Sequence, residues 1–157
     1  MPAGSEPAAV VLPHTFRPLG VRLAITFLGG MLVTICVVVW FAFPASIRAE
    51  FTTFQRATVL VLGLGFAAMG FALARSRVVA RAEGVKVVNG YRVRRYDWNE
   101  IVAITLRPGS PWAVLDLSDG TTVAAMGIQG SDGGRAAAQV RAFRHLVDQL
   151  TRTDRND

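Results

Sequence analysis

An uncharged apolar run near the start of the chain, LAITFLGGMLVTICVVVWFAF at residues 23–43, is long enough to cross a membrane. As a helix it would extend about 31 Å, close to the hydrocarbon thickness of a bilayer. Arg17 and Arg22 precede the run, Trp40 lies near its far end, and Pro44 follows it. A cleaved signal peptide is the alternative, but its apolar core is usually about 7–15 residues, and no small-x-small cleavage site follows this run. We therefore predict a first transmembrane helix at residues 23–43.

A second uncharged run, ATVLVLGLGFAAMGFALA at residues 57–74, lies between Arg56 and Arg75 and predicts a second transmembrane helix. Its small residues recur with helical spacing and share one face: Gly63, Ala67, Gly70 and Ala74. Small side chains allow close backbone approach between membrane helices, so we predict that this face packs against the first helix or another protein. Scattered small residues without an interface role are the alternative.

The flanking cations predict the orientation of the two helices, because cytoplasmic flanks carry more Arg and Lys. The connecting segment, residues 44–56, contains Arg48 and Arg56. The opposite flanks contain six cations: Arg17, Arg22, Arg75, Arg77, Arg81 and Lys86. We therefore expect a plasma (inner) membrane protein with two spans, a cytoplasmic segment at residues 1–22, a short external loop at residues 44–56, and both termini in the cytoplasm.

The composition agrees with a membrane location for part of the chain. The mean hydropathy is +0.37 and 18% of residues are charged, below the roughly 25% that is usual for soluble domains. The single cysteine, Cys36, excludes an intramolecular disulfide and a multi-thiolate metal site.

After the second run the pattern changes to short strands. VVARAEGVKVVNGYRVRRYDW alternates β-branched or aromatic residues with polar ones, and is interrupted at Glu83-Gly84 and Asn89-Gly90. Asn-Gly is a strong signal for a type I′ hairpin turn. EIVAITLR then forms a strand that ends at RPGSP, and WAVLDLS and TTVAAM form a hairpin around Asp119-Gly120. The spacing predicts about six short antiparallel strands.

One of these strands carries the segment RVRRYDW, residues 92–98, in which cations are interleaved with aromatic rings. Nucleic-acid surfaces use this combination, but no recognition helix or nucleic-acid-binding motif accompanies it. We instead predict a strand with Val93, Tyr96 and Trp98 facing inward around a bulge near Arg94-Arg95. No nucleic-acid partner is expected.

The last part of the chain predicts one amphipathic helix from Arg135 onward. Apolar residues recur at intervals of three and four: Ala136, Val140, Phe143, Val147 and Leu150. Ser131 or Asp132 is the expected N-cap. Residues 75–152 are thus expected to form one domain, followed by a polar tail at residues 153–157.

Strands in this order followed by one helix are the arrangement of a pleckstrin-homology (PH) fold. The segments EGVKVVNGYRVRRYDWNEIVAI and LDLSDGTTVAAM resemble the bacterial PH domains of small actinobacterial membrane proteins, the low-molecular-weight protein antigen-like group. In that family the positions matched by Trp98-Asn99-Glu100-Ile101 open a central strand, and those matched by Leu117-Ser118-Asp119-Gly120 form a hairpin. The resemblance covers roughly residues 77–150, and a preceding membrane hairpin is also common in the group.

The resemblance implies a membrane α-helical hairpin plus an α+β domain. That domain would be a PH-like antiparallel β-sandwich or barrel of six or seven strands with one C-terminal amphipathic helix. Eukaryotic PH domains often hold phosphoinositide headgroups with Lys and Arg around the first strand-to-strand loop. We place the corresponding loop at Glu83-Gly84, which is short and acidic and is followed only by Lys86. That specificity is therefore not expected here.

Few residues offer catalytic chemistry. His145 and Asp148 are three positions apart on the polar face of the last helix, without a nucleophile implied by sequence. GIQGSDGG has no GK[ST] ending that would indicate a phosphate-binding loop. We predict no catalytic, cofactor-binding or metal-binding residues, no cofactor, and a protein that is not an enzyme.

The sequence predicts a non-enzymatic, membrane-anchored PH-like interaction module that acts as an accessory or scaffold subunit of a larger membrane assembly. Its expected partners are membrane lipid and another protein or further copies of the same chain. The alternative is an anionic-lipid sensor with a juxtamembrane patch: Arg75, Arg77, Arg81, Arg92 and Arg94. Each cation near an anionic surface contributes about 1 kcal/mol. Arg75 and Arg77 also have the simpler role of setting the orientation of the spans.

Overall fold

The computed structural model describes residues 11–153 of the chain, with side chains described as far as residue 151. The first ten residues of the predicted N-terminal segment, and the predicted tail from residue 154, lie outside the described residues. The chain forms two compact units. One comprises Leu19–Ala74, and the other combines the preceding segment with residues 75–157.

The first unit consists of two long apolar helices joined by a short one: α1 (Leu19–Ala42), α2 (Ala45–Glu50) and α3 (Thr53–Arg75). The mean hydropathy of the apolar windows in α1 and α3 is 2.4 and 2.1, and neither window is buried by other parts of the protein. Both helices are long and apolar enough to cross a membrane. This confirms the prediction of two long apolar helices.

The connection between α1 and α3 is fixed by caps and aromatic contacts. The Thr52 N–H donates to Gln55 Oε1 at 2.9 Å, and the Gln55 N–H donates to Thr52 Oγ1 at 3.2 Å. This reciprocal capping satisfies two backbone donors at the start of α3. The guanidinium of Arg56 lies 5.4 Å from the ring of Trp40, which packs edge-on against Phe51. The chain reversal is therefore locally stabilised.

Within the described residues, the second unit contains seven strands and one α-helix. A four-stranded sheet, in the order β1-β2-β3-β4, and a three-stranded sheet, in the order β5-β6-β7, are both antiparallel. The elements are β1 (His14–Phe16), β2 (Arg77–Arg81), β3 (Gly84–Asn89), β4 (Arg92–Tyr96), β5 (Ile101–Thr105), β6 (Trp112–Leu117), β7 (Thr122–Gln129) and α4 (Gly134–Thr153). The predicted PH-like sandwich with a C-terminal helix is confirmed.

Strand β1 lies before the first apolar helix and was not predicted. Thr15 pairs with Val79, and Phe16 pairs with Val78. The Phe16 side chain is only 1% exposed and meets the ring of Phe143 edge-on at 5.7 Å. Residues from the N-terminal side of the helices therefore complete the core of the domain.

The helical unit is consequently the connection between the first two strands of the PH-like domain. The chain leaves β1 after Phe16, passes through α1, α2 and α3, and re-enters the sheet as β2 at Arg77. The placement of the first strand-to-strand loop at Glu83-Gly84 was therefore wrong. Glu83-Gly84 lies instead in the hairpin between β2 and β3, because an earlier strand precedes the helices.

The core lies between the two sheets and one face of α4. Its members come from every layer: Phe16, Val78, Ala80, Val85, Val87, Trp98, Ile101, Ile104, Ala113, Leu115, Val123, Ala125, Ile128, Ala136, Val140, Phe143, Leu146 and Val147. At Gly127 an added Cβ would lie 2.6 Å from the backbone nitrogen of Val78, so only glycine permits β7 to approach β2 this closely. The predicted buried face of α4 is confirmed.

Strand β4 differs from its prediction. Val93 was expected to face inward, but it is 48% exposed. The expected bulge is also absent, because Arg94 and Arg95 continue an unbroken register opposite Val87 and Lys86. Trp98 is buried as predicted, and it lies in a short 3-10 turn from which its Nε1 donates to the Arg81 carbonyl at 2.9 Å.

The hairpin between β3 and β4 also uses a different turn. Asn89 is the last residue of β3 and pairs with Arg92, so the turn residues are Gly90 and Tyr91. Among the described residues only glycines have positive φ, which excludes the predicted type I′ turn with Asn89. The Asn89 amide binds β7 instead: its Nδ2 donates to the Ala124 carbonyl at 2.5 Å, and its Oδ1 accepts the Met126 N–H at 3.1 Å. Asn89 therefore links the two sheets.

Helix α4 begins at Gly134, one residue before the predicted start at Arg135, but its N-cap differs from the prediction. Ser131 and Asp132 belong to a 3-10 turn, Gly130–Asp132, that precedes the helix. Gly133, with φ of 55°, comes directly before the helix, and its carbonyl accepts the Ala137 N–H at 3.1 Å. Neither predicted residue therefore occupies the N-cap position.

Candidate functional site

The outer face of the four-stranded sheet follows from its pairing register. Directly opposed residues of neighbouring antiparallel strands place their side chains on the same face. Val79 of β2 lies opposite Thr15 on one side and Lys86 on the other, and Lys86 lies opposite Arg95 of β4. Since Val78 belongs to the core, this row faces away from it.

Cations share this outer face with Val79, Val88 and Val93. Arg77 and Arg81 alternate with Val79 along β2, so they share its face. Five cations on or beside it define what we call the basic face: Arg17, Arg77, Arg81, Lys86 and Arg95. Arg17 directly follows β1 and lines the same depression as Arg77 and Arg81.

Two adjoining depressions follow the basic face. The first has a volume of about 610 Å³, with Arg17, Arg77 and Arg81 around Val79. The second has a volume of about 350 Å³ and is lined by Arg81, Lys86 and Arg95 among others. Arg81 and Glu83 line both, so the two depressions adjoin.

The acidic residues beside the basic face are Glu83 and Asp97. The Arg81 Nη1 lies 3.7 Å from Glu83 Oε1, and both side chains are largely exposed. An exposed pair of this kind contributes little to stability. Asp97 belongs to the reciprocal cap of the 3-10 turn, in which its backbone N–H donates to Glu100 Oε2 at 2.7 Å. The face therefore retains an excess of positive charge.

The five arginines predicted as one patch lie in different places. Arg77 and Arg81 are on the basic face. Arg92 and Arg94 pair with Asn89 and Val87, so they lie on the opposite face of the sheet. Arg75 lies over the ring of Tyr91, with its Cζ 5.7 Å from the ring centroid.

Sequence reasoning missed Arg17, Lys86 and Arg95 as companions of Arg77 and Arg81. The signal that could have found two of them is hairpin parity. With a two-residue turn between β3 and β4, Lys86 and Arg95 must share a face with Val79. Arg17 could not be found in this way, because β1 itself was not predicted.

The four small residues predicted for helix packing differ in their surroundings. An added Cβ at Gly70 would lie 3.1 Å from the Cγ2 of Ile25 on α1, so α1 and α3 approach closely there. At Gly63 an added Cβ would meet no atom within 4 Å. Ala67 is exposed and Ala74 is half-buried. A packing role for this face stays a prediction, and Gly70 is the position best placed to test it.

His145 and Asp148, the pair weighed for catalytic chemistry, are both exposed on α4. The His14 ring packs edge-on against Phe16 at 4.6 Å, and Cys36 is exposed on α1. Among the described residues, no three His, Cys, Asp or Glu side chains are grouped so that they could hold a metal ion.

The carboxyl of Asp119, in the turn between two strands of the second unit, has a perturbed pKa. The Thr121 hydroxyl and N–H donate to Asp119 Oδ1 at 2.7 and 2.8 Å, and these bonds lower the pKa of that carboxyl below its usual value. Asp119 lies in the turn between β6 and β7, where such bonds hold the chain reversal. Its role is therefore structural.

Part of the second unit matches a known protein family. Residues 75–146 match the family model described as Bacterial PH domain. The match begins at Arg75, the last residue of α3, and extends into α4, which confirms the resemblance to bacterial PH domains over this segment.

The similar curated proteins are mycobacterial. An uncharacterized protein of Mycobacterium bovis and two uncharacterized proteins from strains of Mycobacterium tuberculosis are each 32% identical over 97 residues. The alignment covers 62% of this chain and 63% of each relative, so the chain spans less than two thirds of their length. No solved structure matches the chain significantly.

Proposed function

We propose that the protein is a non-enzymatic interaction module: a membrane hairpin that holds a PH-like domain against the cytoplasmic face of the inner membrane. In this role it binds a partner protein, or further copies of itself, as an accessory or scaffold subunit of a membrane assembly. The family match supports the proposal, because PH domains are typically non-catalytic modules that bind lipids or proteins.

The observation that carries the proposal is the insertion of the two apolar helices between β1 and β2. Adjacent strands lie about 5 Å apart, so the chain must leave and re-enter the domain on the same side of any membrane that it crosses. Two spans satisfy this requirement and one span does not. Together with the six flanking cations, the insertion supports a cytoplasmic domain with residues 44–56 outside.

In-membrane cross-linking tests whether the domain binds a protein. A photoreactive residue replaces Val93, which is exposed on the domain, or Phe27, which is exposed on α1. We expect a defined partner or a second copy of the chain to be cross-linked from position 93, to be recovered after mild detergent extraction, and to be identified by mass spectrometry. Cross-linking from position 27 is the matched control and reports contacts of the helices. Recovery of an uncross-linked monomer from intact membranes at both positions would contradict the proposal.

A second candidate is recognition of anionic lipid by the predicted patch: Arg75, Arg77, Arg81, Arg92 and Arg94. Arg75 ends α3 and Arg77 begins β2, and their position directly after the apolar helix favours it, since cations near a membrane surface attract anionic headgroups. A fragment that starts at residue 77 is unsuitable for the test because it lacks β1 and would leave the core partly open.

The full chain, extracted from mixed bilayers, can be examined by native mass spectrometry for retained lipids. This candidate predicts enrichment of phosphatidylglycerol over phosphatidylcholine, and loss of that enrichment when the five arginines are replaced by glutamine. Equal retention of both lipids by the wild-type chain would exclude it.

A further inference from the structure

We infer that the basic face is the docking site for an acidic, extended segment of a partner protein. This inference rests on the proposed function and names both the surface and the chemistry of the partner. The surface consists of the five cations already defined and the depressions between them.

The first argument is a like-charge pair. Lys86 and Arg95 lie directly opposite each other on β3 and β4. Like charges in this position destabilise an antiparallel sheet. The other cross-strand neighbour of Lys86 is Val79. Glu83 and Asp97 line the same depression, but Glu83 lies near Arg81 and the Asp97 side chain caps the 3-10 turn. A bound carboxylate between Lys86 and Arg95 would replace this repulsion with attraction.

The second argument is the spacing of the cations. Arg77 and Arg81 are four residues apart on one strand, a distance of about 13 Å, and Lys86 lies on the next strand, about 5 Å across. Alternate side chains of an extended peptide are about 7 Å apart. An extended segment with acidic residues at alternate positions can therefore meet several of these cations at once.

The third argument is the apolar floor of the larger depression. Val79 lies between the cations, with Leu12 and Ala82 beside it. The volume of about 610 Å³ is within the range of ligand-binding clefts, about 300–1,000 Å³. A peptide presents apolar side chains next to carboxylates, whereas the headgroup of phosphatidylglycerol presents a phosphate and hydroxyl groups without apolar side chains. The mixed lining therefore favours a peptide over a headgroup.

Binding of a defined peptide tests the inference. The full chain is placed in nanodiscs of neutral phosphatidylcholine and titrated against a fluorescein-labelled peptide that alternates Glu with Val. We expect saturable binding by fluorescence anisotropy that weakens with added salt. The same peptide with Gln in place of Glu should bind at least about tenfold more weakly.

Two double variants locate the site. Lys86→Gln with Arg95→Gln removes the pair on the basic face, and we expect peptide binding to weaken about fivefold or more. Arg92→Gln with Arg94→Gln removes the same amount of charge from the opposite face of β4, and should weaken binding less than about twofold. The first variant loses a repulsive pair, so its melting temperature should be unchanged or higher, which excludes unfolding as the cause. Equal weakening by both variants, or no binding by the wild type, would overturn the inference.

A lipid arm separates the two sources of negative charge. When phosphatidylglycerol is added to the nanodiscs, the wild-type chain should still bind the peptide. The Lys86→Gln, Arg95→Gln variant should still bind it more weakly than the Arg92→Gln, Arg94→Gln variant. If phosphatidylglycerol abolishes peptide binding and this variant alone loses its enrichment for phosphatidylglycerol, the face binds lipid and the inference is wrong. If position 93 still cross-links a partner from both double variants with equal yield, the inference fails while the proposed function stands.

Discussion

The two units of this protein use the same apolar residue types in opposite ways. Val33 and Val38 on α1 are largely exposed, whereas Val78 and Val85 in the sheets are almost completely buried. In the described part of the chain, the apolar windows of α1 and α3 are not buried, while the domain forms a closed core. The apolar side chains of the domain are therefore buried by its own elements, whereas many of those on α1 and α3 are exposed.

The units also differ in how they satisfy their backbone polar groups. A helix pairs its N–H and C=O groups within itself, which is why helices can cross hydrocarbon. The four-stranded sheet needs residues from both ends of the inserted hairpin, since β1 and β2 are separated by the whole helical unit. The hairpin is contiguous in sequence, and the domain is not.

The largest effect is expected from breaking the discontinuous core. Phe16→Ala removes a buried ring that packs on Phe143, so the free energy of unfolding of the domain should fall by about 3–5 kcal/mol. Phe27→Ala on α1 removes an exposed ring and should leave the stability of the domain unchanged. Chemical denaturation in mild detergent, followed by near-ultraviolet circular dichroism, measures both. Equal stability of the two variants would show that β1 is not part of the core.

The next effect distinguishes an apolar side chain that faces lipid from one that faces water. Leu64 on α3 is 70% exposed, and Val102 on β5 is 62% exposed. Leu64→Arg should oppose membrane insertion by about 2.5–3.5 kcal/mol, whereas Val102→Arg should change stability by less than about 0.5 kcal/mol. The fraction of protein that resists carbonate extraction from membranes measures insertion. Full retention of the Leu64→Arg variant would contradict a membrane-spanning α3.

A smaller effect is expected from the polar link between the two sheets. Asn89→Ala removes both hydrogen bonds to β7 and leaves the Ala124 carbonyl and the Met126 N–H without that partner. The cost should be about 1–3 kcal/mol of domain stability. Asn99→Ala, at an exposed position, is the matched control. Indistinguishable denaturation midpoints for the two variants would show that Asn89 serves only the turn.

The smallest effect concerns the turn at Asp119. Its pKa is lowered in the folded protein by the hydrogen bonds from Thr121, so the bonds stabilise the fold above the ordinary carboxyl pKa. That contribution is lost as the pH falls through the lowered pKa. Asp119→Ala should therefore reduce the loss of domain stability on acidification slightly, relative to the wild type. Asp148→Ala, on the exposed face of α4, controls for general charge effects. Parallel pH profiles for Asp119→Ala and the wild type would refute this role.

The elements that sequence reasoning predicted are those with a strong local signal. Unbroken apolar runs marked α1 and α3, strict alternation marked the strands after residue 77, and three-four spacing marked α4. Strand β1 has only three residues, and its partner lies beyond the helical unit, so no local pattern could reveal it.

The errors in β4 and the turns have a similar origin. Val93 looked like a core residue by type, but β4 lies at one edge of its sheet and its register turns Val93 outward. The Asn-Gly pair predicted a turn at Asn89, but Asn89 ends β3 and its side chain hydrogen-bonds to β7. The basic face depends on the same register, because a charge count along the sequence cannot distinguish Arg95 from Arg94.

The central claim is that the inserted hairpin crosses the membrane and returns, leaving the PH-like domain in the cytoplasm. In a Cys36→Ala background, single cysteines replace Ser46 in α2 or Ser118 in the turn after β6, both exposed. A membrane-impermeant maleimide added to intact cells should label the cysteine at position 46, and should label that at position 118 only after lysis. Labelling of position 118 in intact cells, or of position 46 only after lysis, would contradict the account.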